Sequence, residues 1–209
     1  MPKLGNDYDN AAESTATDFK AMDPGVYMCR VQAVRTEWTD SKHRKWTSDE
    51  KSYVKLIIDV DEGERAGKFS DEYWAGEDKD YAHTLYMSWS PKALGMLKHT
   101  FSSLDEANPG FDSKAAFEAD QWMMFVGKRL LVEWNGQEYE SNTGDTRLRV
   151  RPNRALVAAD KPRTKVELLD GEKVDYSEWK DGGASQGYHA QGSSTPSDGG
   201  SPYDADVPF

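Results

Sequence analysis

Tyr53-Val54-Lys55-Leu56-Ile57-Ile58-Asp59-Val60 is the stretch on which the fold turns. Val54, Leu56, Ile58 and Val60 alternate with Tyr53, Lys55 and Ile57, and a period of two is the signature of a strand with one buried face. The core face is therefore aliphatic, and the opposite face carries an aromatic and a cation. Toward the N-terminus, Gly25 to Val34 alternates in the same way, with Tyr27, Cys29, Val31 and Ala33 on one face and Met28, Arg30 and Gln32 on the other. A long polar connection, Thr36 to Ser52, separates these two strands. Toward the C-terminus, Asp61-Glu62-Gly63-Glu64 and Gly67 read as a turn into a third strand near Lys68 to Trp74. Another extended segment, Tyr81 to Trp89, follows the charged loop Gly76 to Asp80.

Ser90-Pro91 signals a helix start, an N-cap with proline at the first helical position. Leu94, Leu97, Phe101 and Leu104 then recur at helical spacing, with Gly95 inside the run. Asn108-Pro109-Gly110 breaks the chain, and Asp112 to about Met123 reads as a second helix burying Ala115, Ala116, Ala119 and Trp122. Strands resume at Lys128 to Trp134, where Leu130, Val132 and Trp134 oppose Arg129, Leu131 and Glu133. Asn135-Gly136 and Asn142-Thr143-Gly144 are turn signals, and Thr146 to Val157 is extended with an interruption at Pro152. A small strand is expected at Lys165 to Leu168. Strands, a helical insertion, then strands again is the element order of a mainly β fold: an OB-fold-like five-stranded Greek-key barrel with a helical insertion between its third and fourth strands. Other small barrels share much of this order.

The 37 acidic and 26 basic residues give a net charge of −11, which argues at first against nucleic acid. The distribution qualifies that. Residues 1–23, read as a flexible N-terminal arm, hold 2 Lys against 5 acids. Residues 24–165, the expected barrel domain, hold 22 bases against 23 acids and are almost neutral. Residues 166–209, read as an acidic Gly/Ser-rich tail, hold 2 Lys against 9 acids. A neutral domain binds phosphate if its bases gather on one surface. No apolar run is long enough for a membrane span, and the acidic N-terminus lacks the basic start of a signal peptide. The lone Cys29 leaves no internal disulfide and reads as a small buried hydrophobe. The expected compartment is the cytoplasm, that of a bacterial host if the chain is phage-encoded.

Three groups carry candidate binding chemistry. Arg147, Arg149 and Arg151 alternate with Thr146, Leu148 and Val150, so the three guanidinium groups share a face, and Arg154 follows just past Pro152. Their step of roughly 6.6 Å, from a rise of ~3.3 Å per residue, suits an extended phosphate backbone. The competing reading pairs them with Glu138 and Glu140 on the neighbouring strand. In the loop Lys42-His43-Arg44-Lys45-Trp46, the cations Lys42, Arg44 and Lys45 stand beside a large aromatic fit to stack on a base, unless Trp46 folds back onto the barrel end. Tyr53 and Lys55, with Tyr86 nearby on another strand, would make a stacking platform with phosphate charge. Trp38, Trp74, Trp89, Trp122 and Trp134 are assigned mostly to packing.

Catalytic constellations are poor. No two of His43, His83, His99 and His189 show metal-ligand spacing, and one cysteine does not build a zinc site. The runs Asp59-Asp61-Glu62-Glu64 and Glu77-Asp78-Asp80 could hold Mg²⁺ in a nuclease but read more simply as solvated turns. No phosphate-loop, dinucleotide or hydrolase-elbow motif is present. No enzyme, cofactor or metal is expected.

The last residues, Tyr203-Asp204-Ala205-Asp206-Val207-Pro208-Phe209, follow a stretch, Asp181 to Pro202, too poor in apolar residues to fold. Asp204, Asp206, Val207, Pro208 and Phe209 form an acidic-apolar hook suited to a pocket with a basic rim on another protein. This tip resembles that of bacterial and phage single-stranded-DNA-binding proteins, which end in an acidic run followed by Ile-Pro-Phe. Val207 stands here for the Ile, and Ala205 interrupts the acids. Gly25-Val26-Tyr27, Tyr53-Val54-Lys55-Leu56, Asp61-Glu62-Gly63-Glu64 with Gly67-Lys68, and Phe125-Val126-Gly127-Lys128-Arg129 are similar to phage-type members of that family. The resemblance implies an OB-fold, sequence-nonspecific single-strand binding and a tail that recruits replication, recombination or repair enzymes. The helical insertion departs from the family and leaves a homo-oligomer open. The alternatives are a protein-interaction adaptor that does not bind DNA and a metal-dependent nuclease.

Overall fold

The computed structural model describes residues 22–70, 74 and 76–182. In chain order these form β1 (Gly25–Arg35), β2 (Glu37–Thr39), β3 (Lys45–Thr47), α1 (Ser48–Lys51), β4 (Tyr53–Val60), β5 (Thr84–Ser88), α2 (Leu94–Ala107), α3 (Ser113–Glu118), β6 (Arg129–Glu140), β7 (Thr146–Leu156), β8 (Lys165–Glu167), β9 (Lys173–Asp175) and α4 (Tyr176–Gly182). Short 3₁₀ turns cover Glu77–Ala82 and Trp122–Phe125. The fold is mainly β, with one mixed sheet and a small β2–β3 hairpin. Its order is β5-β4-β1-β6-β8-β9, with β7 on the other flank of β6. All pairings are antiparallel except β6 with β8. Among the described residues no backbone ladder joins β5 to β7.

In β4 the core face is as expected, although Ile57 and Asp59 on the opposite face are buried as well. Val54, Leu56, Ile58 and Val60 are buried in the core with Leu130, Val132 and Trp134 from β6. Each such side chain contributes about 1.5–3 kcal/mol of transfer free energy. Trp134 stacks on Phe69 at 5.6 Å, and Phe69 stacks on the buried His83 at 4.6 Å. His83 Nδ1 meets the Ile58 carbonyl at 2.8 Å. Burial pushes the His83 pKa below its ordinary value, so the ring is neutral at pH 7.

β1 does not keep one alternation. Its register with β4 shifts between Val31 and Ala33, so Gln32 is the extra residue of a β-bulge. Val31 faces the core opposite Ile58, but beyond the bulge Ala33 pairs with Ile57 and Arg35 with Lys55, while Val34 turns to the core opposite Leu56. The expected core position of Ala33 is thus corrected, because one extra residue flips every side chain after it. Asp59 holds the bulge. Its carboxylate accepts from Gln32 Nε2 at 3.1 Å, from the amides of Val60 and Phe69 at 2.7 and 2.9 Å, and from the Ser70 hydroxyl.

Several other expectations are revised. Residues 68 and 69 are turn, residues 71–73 of the strand expected near Lys68 to Trp74 lie outside the described residues, and the strand beside β4 is β5. α2 begins at Leu94, after a turn in which Ala93 N–H donates to the Ser90 carbonyl. Its buried positions include Leu97 and Leu104, whereas Leu94 is exposed. In α3, Ala116 is buried but Ala115 and Ala119 are exposed. Asn108 ends α2 and ties it to β6, donating to the Leu104 and Arg129 carbonyls, both at 2.7 Å, and accepting from Arg129 N–H at 3.0 Å.

Asn135-Gly136 is not a turn but the middle of β6, and the hairpin reverses instead at Ser141–Asp145. Glycine is needed there because β6 is crowded on its buried face. A Cβ at Gly136 would lie 3.0 Å from Leu148 Cδ1, 3.0 Å from Pro24 Cγ and 3.1 Å from Val166 Cγ2. Pro152 does not end β7; a bulge between the Trp134–Pro152 and Glu133–Arg154 pairs absorbs it. Residues 165–182, which the sequence reading put largely in the tail, form β8, which pairs with β6, β9, which pairs with β8, and α4.

Two glycine substitutions test this packing. Gly136→Ala should lower the urea midpoint, with a loss of about 1–3 kcal/mol from overpacking. Gly95→Ala, on a helix surface with nothing within 4 Å of the added carbon, should raise it by up to ~1 kcal/mol.

Candidate functional site

The face of β4 turned away from the core carries the first part of the site. Lys55 pairs with Tyr86 of β5 on one side and with Arg35 of β1 on the other. Tyr53 meets Tyr86 edge-to-face at 5.1 Å and stacks on Trp38 at 5.0 Å. Trp38 is buried, so the β2–β3 hairpin folds over the outer end of β4, and Lys55 Nζ lies 4.9 Å from the Trp38 ring. Burial and the neighbouring Tyr86 push the Tyr53 hydroxyl up to about 12, and burial lowers the Lys55 pKa against the pull of Asp80 and Glu77. Tyr53 thus works as a neutral ring and Tyr86, 46% exposed, as the open one.

β7 supplies the second part. Arg147, Arg149 and Arg151 share one face and sit opposite Tyr139, Gln137 and Asn135 of β6. Glu138 and Glu140 pair with Leu148 and Thr146 on the other face, so they are not the arginines' partners. Arg149 instead lies over Tyr139 at 4.4 Å, and Arg151 over Tyr81 at 5.3 Å. Arg147 has a distant carboxylate, Asp145 at 3.9 Å. Neither Arg149 nor Arg151 has an ion-pair partner among the described residues, and Arg151 Nε and Nη2 are shielded from solvent without a hydrogen bond. An unsatisfied, desolvated donor costs about 1–3 kcal/mol, more when charged. Burial first and Arg149 second lower the Arg151 pKa, with Tyr81 and Tyr86 opposing. The guanidinium remains charged at neutral pH. Burial raises the Tyr86 pKa and the Arg151 charge opposes it, so the two parts of the site lie within electrostatic reach of each other.

Arg154 is differently placed. Its Nε donates to Glu133 at 2.7 Å, and Glu133 is buried. It neutralises an interior carboxylate, a role the sequence reading did not assign.

The loop after β2 is a closed unit centred on Asp40. The carboxylate accepts from the amides of Lys42 and Arg44, both at 2.9 Å, from Arg44 Nε at 2.7 Å and from Trp46 Nε1 at 3.0 Å. The Trp46 hydrogen bond, then those from Arg44 and Lys42, hold the Asp40 carboxyl well below the usual carboxylate range. Trp46 is half-buried, with Lys51 Nζ 3.5 Å and Arg44 5.1 Å from its ring. It is therefore not the freely exposed ring the sequence suggested. Lys42 and Lys45 are exposed. The hairpin pairs Trp46 with Trp38, which connects the loop to Tyr53.

The acidic turn is committed to structure. Asp61 pairs with Arg30 at 2.6 Å and Arg129 at 2.7 Å, and Glu62 pairs with Arg129. Among the described residues no His, Cys, Asp or Glu cluster has metal-holding geometry. No described helix is long and apolar enough to cross a membrane. Asp204, Asp206, Val207, Pro208 and Phe209 lie outside the described residues. The sequence reading missed Tyr81, Tyr139, Arg35 and Lys51. Tyr139 was legible, since it continues the alternation of Leu131 and Glu133, but the false turn at Asn135-Gly136 hid it. No protein-family model matches the chain, and none of the curated proteins does.

Asp40→Ala should unlock the loop. Amide exchange at Lys42 and Arg44 should accelerate and Trp46 emission should shift to the red. In the unmutated chain the carboxylate's contribution is whole above about pH 4 and fades only as pH falls through its depressed folded value. Equal exchange in both proteins at pH 7 would show that Asp40 does not close the loop.

Proposed function

We propose that this protein binds single-stranded DNA without sequence preference, through the outer face of β4, β5 and β7. The observation that carries the reading is the half-exposed Tyr86 packed edge-on to Tyr53, within electrostatic reach of Arg151, whose guanidinium has no acidic partner among the described residues. A base has a ring to stack on, and the phosphate beside it has a desolvated cation to meet. Stacking on an aromatic platform is worth about 1–3 kcal/mol per base and tolerates any base.

The strand order supports an OB-fold as the underlying architecture. The path β5-β4-β1-β6-β7, with α2 and α3 between β5 and β6, suits a five-stranded Greek-key arrangement of that kind. OB-folds bind oligonucleotides on their second and third strands and on two flanking loops. Here these are β4 and β5, with the Asp40–Trp46 loop and the Ser141–Asp145 turn. Lys42, Arg44 and Lys45 would line one end, and Arg147, Arg149 and Arg151 the other. The acidic tip Asp204 to Phe209 would recruit replication, recombination or repair proteins while the domain holds DNA.

A fluorescence titration with a dT oligomer, a duplex of equal length and RNA, at two salt concentrations, tests the reading. Expected is tight binding of dT over duplex, with log affinity falling against log salt at a slope of about −3 for four phosphate contacts. Tyr86→Ala should cost about 1–3 kcal/mol, and Arg149→Ala with Arg151→Ala should flatten the slope. Absence of dT binding by both titration and gel shift would overturn the proposal and favour an adaptor. Deleting residues 204–209 should abolish pull-down of replication proteins and leave dT affinity equal or tighter.

A further inference from the structure

Beyond the aromatic face, β7, β6, β8 and β9 enclose an open cleft of about 240 Å³. Arg149, Arg151, Lys165 and Lys173 line it, with the polar Asn135 and Gln137 at its floor. Glu167 is the single acid in the lining, and no lining residue is aromatic. The ladders place these groups in rows. Arg149 pairs with Gln137, Gln137 with Glu167, and Glu167 with Lys173. Three strand spacings of ~4.8 Å put Arg149 and Lys173 about 14 Å apart across the sheet. In the next row Arg151 pairs with Asn135, whose Oδ1 accepts from Lys165 N–H at 3.0 Å. Lys173 Nζ lies 3.5 Å from Glu167 at an exposed position, a pair worth little and readily exchanged for another anion.

We propose that this cleft is a second phosphate-binding subsite, over which the backbone of a bound single strand continues from Arg151 to Lys165 and Lys173. The inference rests on the DNA-binding reading of the aromatic face and extends it. Four cations and no ring suit a strand held by its phosphates, with the bases turned out. Arg149 and Arg151 belong to both regions, so the path is continuous. β8 and β9 then do more than extend the sheet: they lengthen the footprint.

The test compares full-length protein with a Lys165→Gln/Lys173→Gln double variant on dT oligomers at the two ends of the range for one barrel, about 5 and about 16 nucleotides. The double variant should bind the short oligomer as the unmutated protein does. On the long one its salt slope should flatten by about 1.4, two contacts at ~0.7 each for single strands. Glu167→Gln, which removes the competing acid, should bind the long oligomer more tightly, a gain that a folding defect does not mimic. An unchanged slope on the long oligomer, with Arg149→Ala/Arg151→Ala still weakening it, overturns the subsite alone. Failure of the unmutated protein to bind either oligomer overturns the DNA-binding reading itself.

Discussion

Successive side chains of β4 point to opposite faces of the sheet, so the same eight residues build the core and the candidate site. Val54, Leu56, Ile58 and Val60 anchor the interior, and that burial fixes the direction of Tyr53 and Lys55. A slip of one residue would bury the lysine and expose the aliphatics, so the register is strongly specified. The bulge at Gln32 adapts β1 to this frame. It brings Arg35 beside Lys55 and returns Val34 to the core. Asp59 ties the bulge, the end of β4 and the connection toward β5 into one hydrogen-bonded unit.

Charge is sorted by burial. The buried carboxylates Asp80 and Glu133 each hold an arginine, Arg35 and Arg154. Asp40 holds Arg44, and Asp61 holds Arg30 and Arg129. The two buried pairs take Arg35 and Arg154 out of play, because an interior carboxylate left alone would be costly. Arg149 and Arg151 escape that sorting, since the ladder sets Gln137 and Asn135 opposite them and turns Glu138 and Glu140 to the other face. A chain that is strongly acidic in sum thereby keeps a basic surface on its sheet.

The strands with clear alternation were legible, as were the turn at Asn142-Thr143-Gly144 and the existence of α2. Bulges were not, because a single extra residue leaves no mark in a hydrophobicity pattern. Asn135-Gly136 misled for a physical reason: glycine serves close packing under Leu148, Pro24 and Val166 as well as it serves turns. β9 and α4 escaped notice because their residues are polar and gain stability from neighbours, β9 by pairing with β8 and α4 by packing beside both strands. Within the site, Tyr53, Lys55 and Tyr86 and the shared face of Arg147, Arg149 and Arg151 were readable from period two alone.

Sequence alone thus determined which side chains share a face within an unbroken run such as Tyr53–Val60 or Arg147–Arg151, since that follows from backbone geometry and needs no neighbour. Only the tertiary structure decided which faces meet and which charges are spent. That Arg154 serves Glu133 and that Arg151 lies over Tyr81 depend on packing between segments far apart in the chain, and that Trp46 is held by Asp40 depends on how the β2–β3 hairpin closes. Long-range pairing sets those distances, and local pattern carries no information about them.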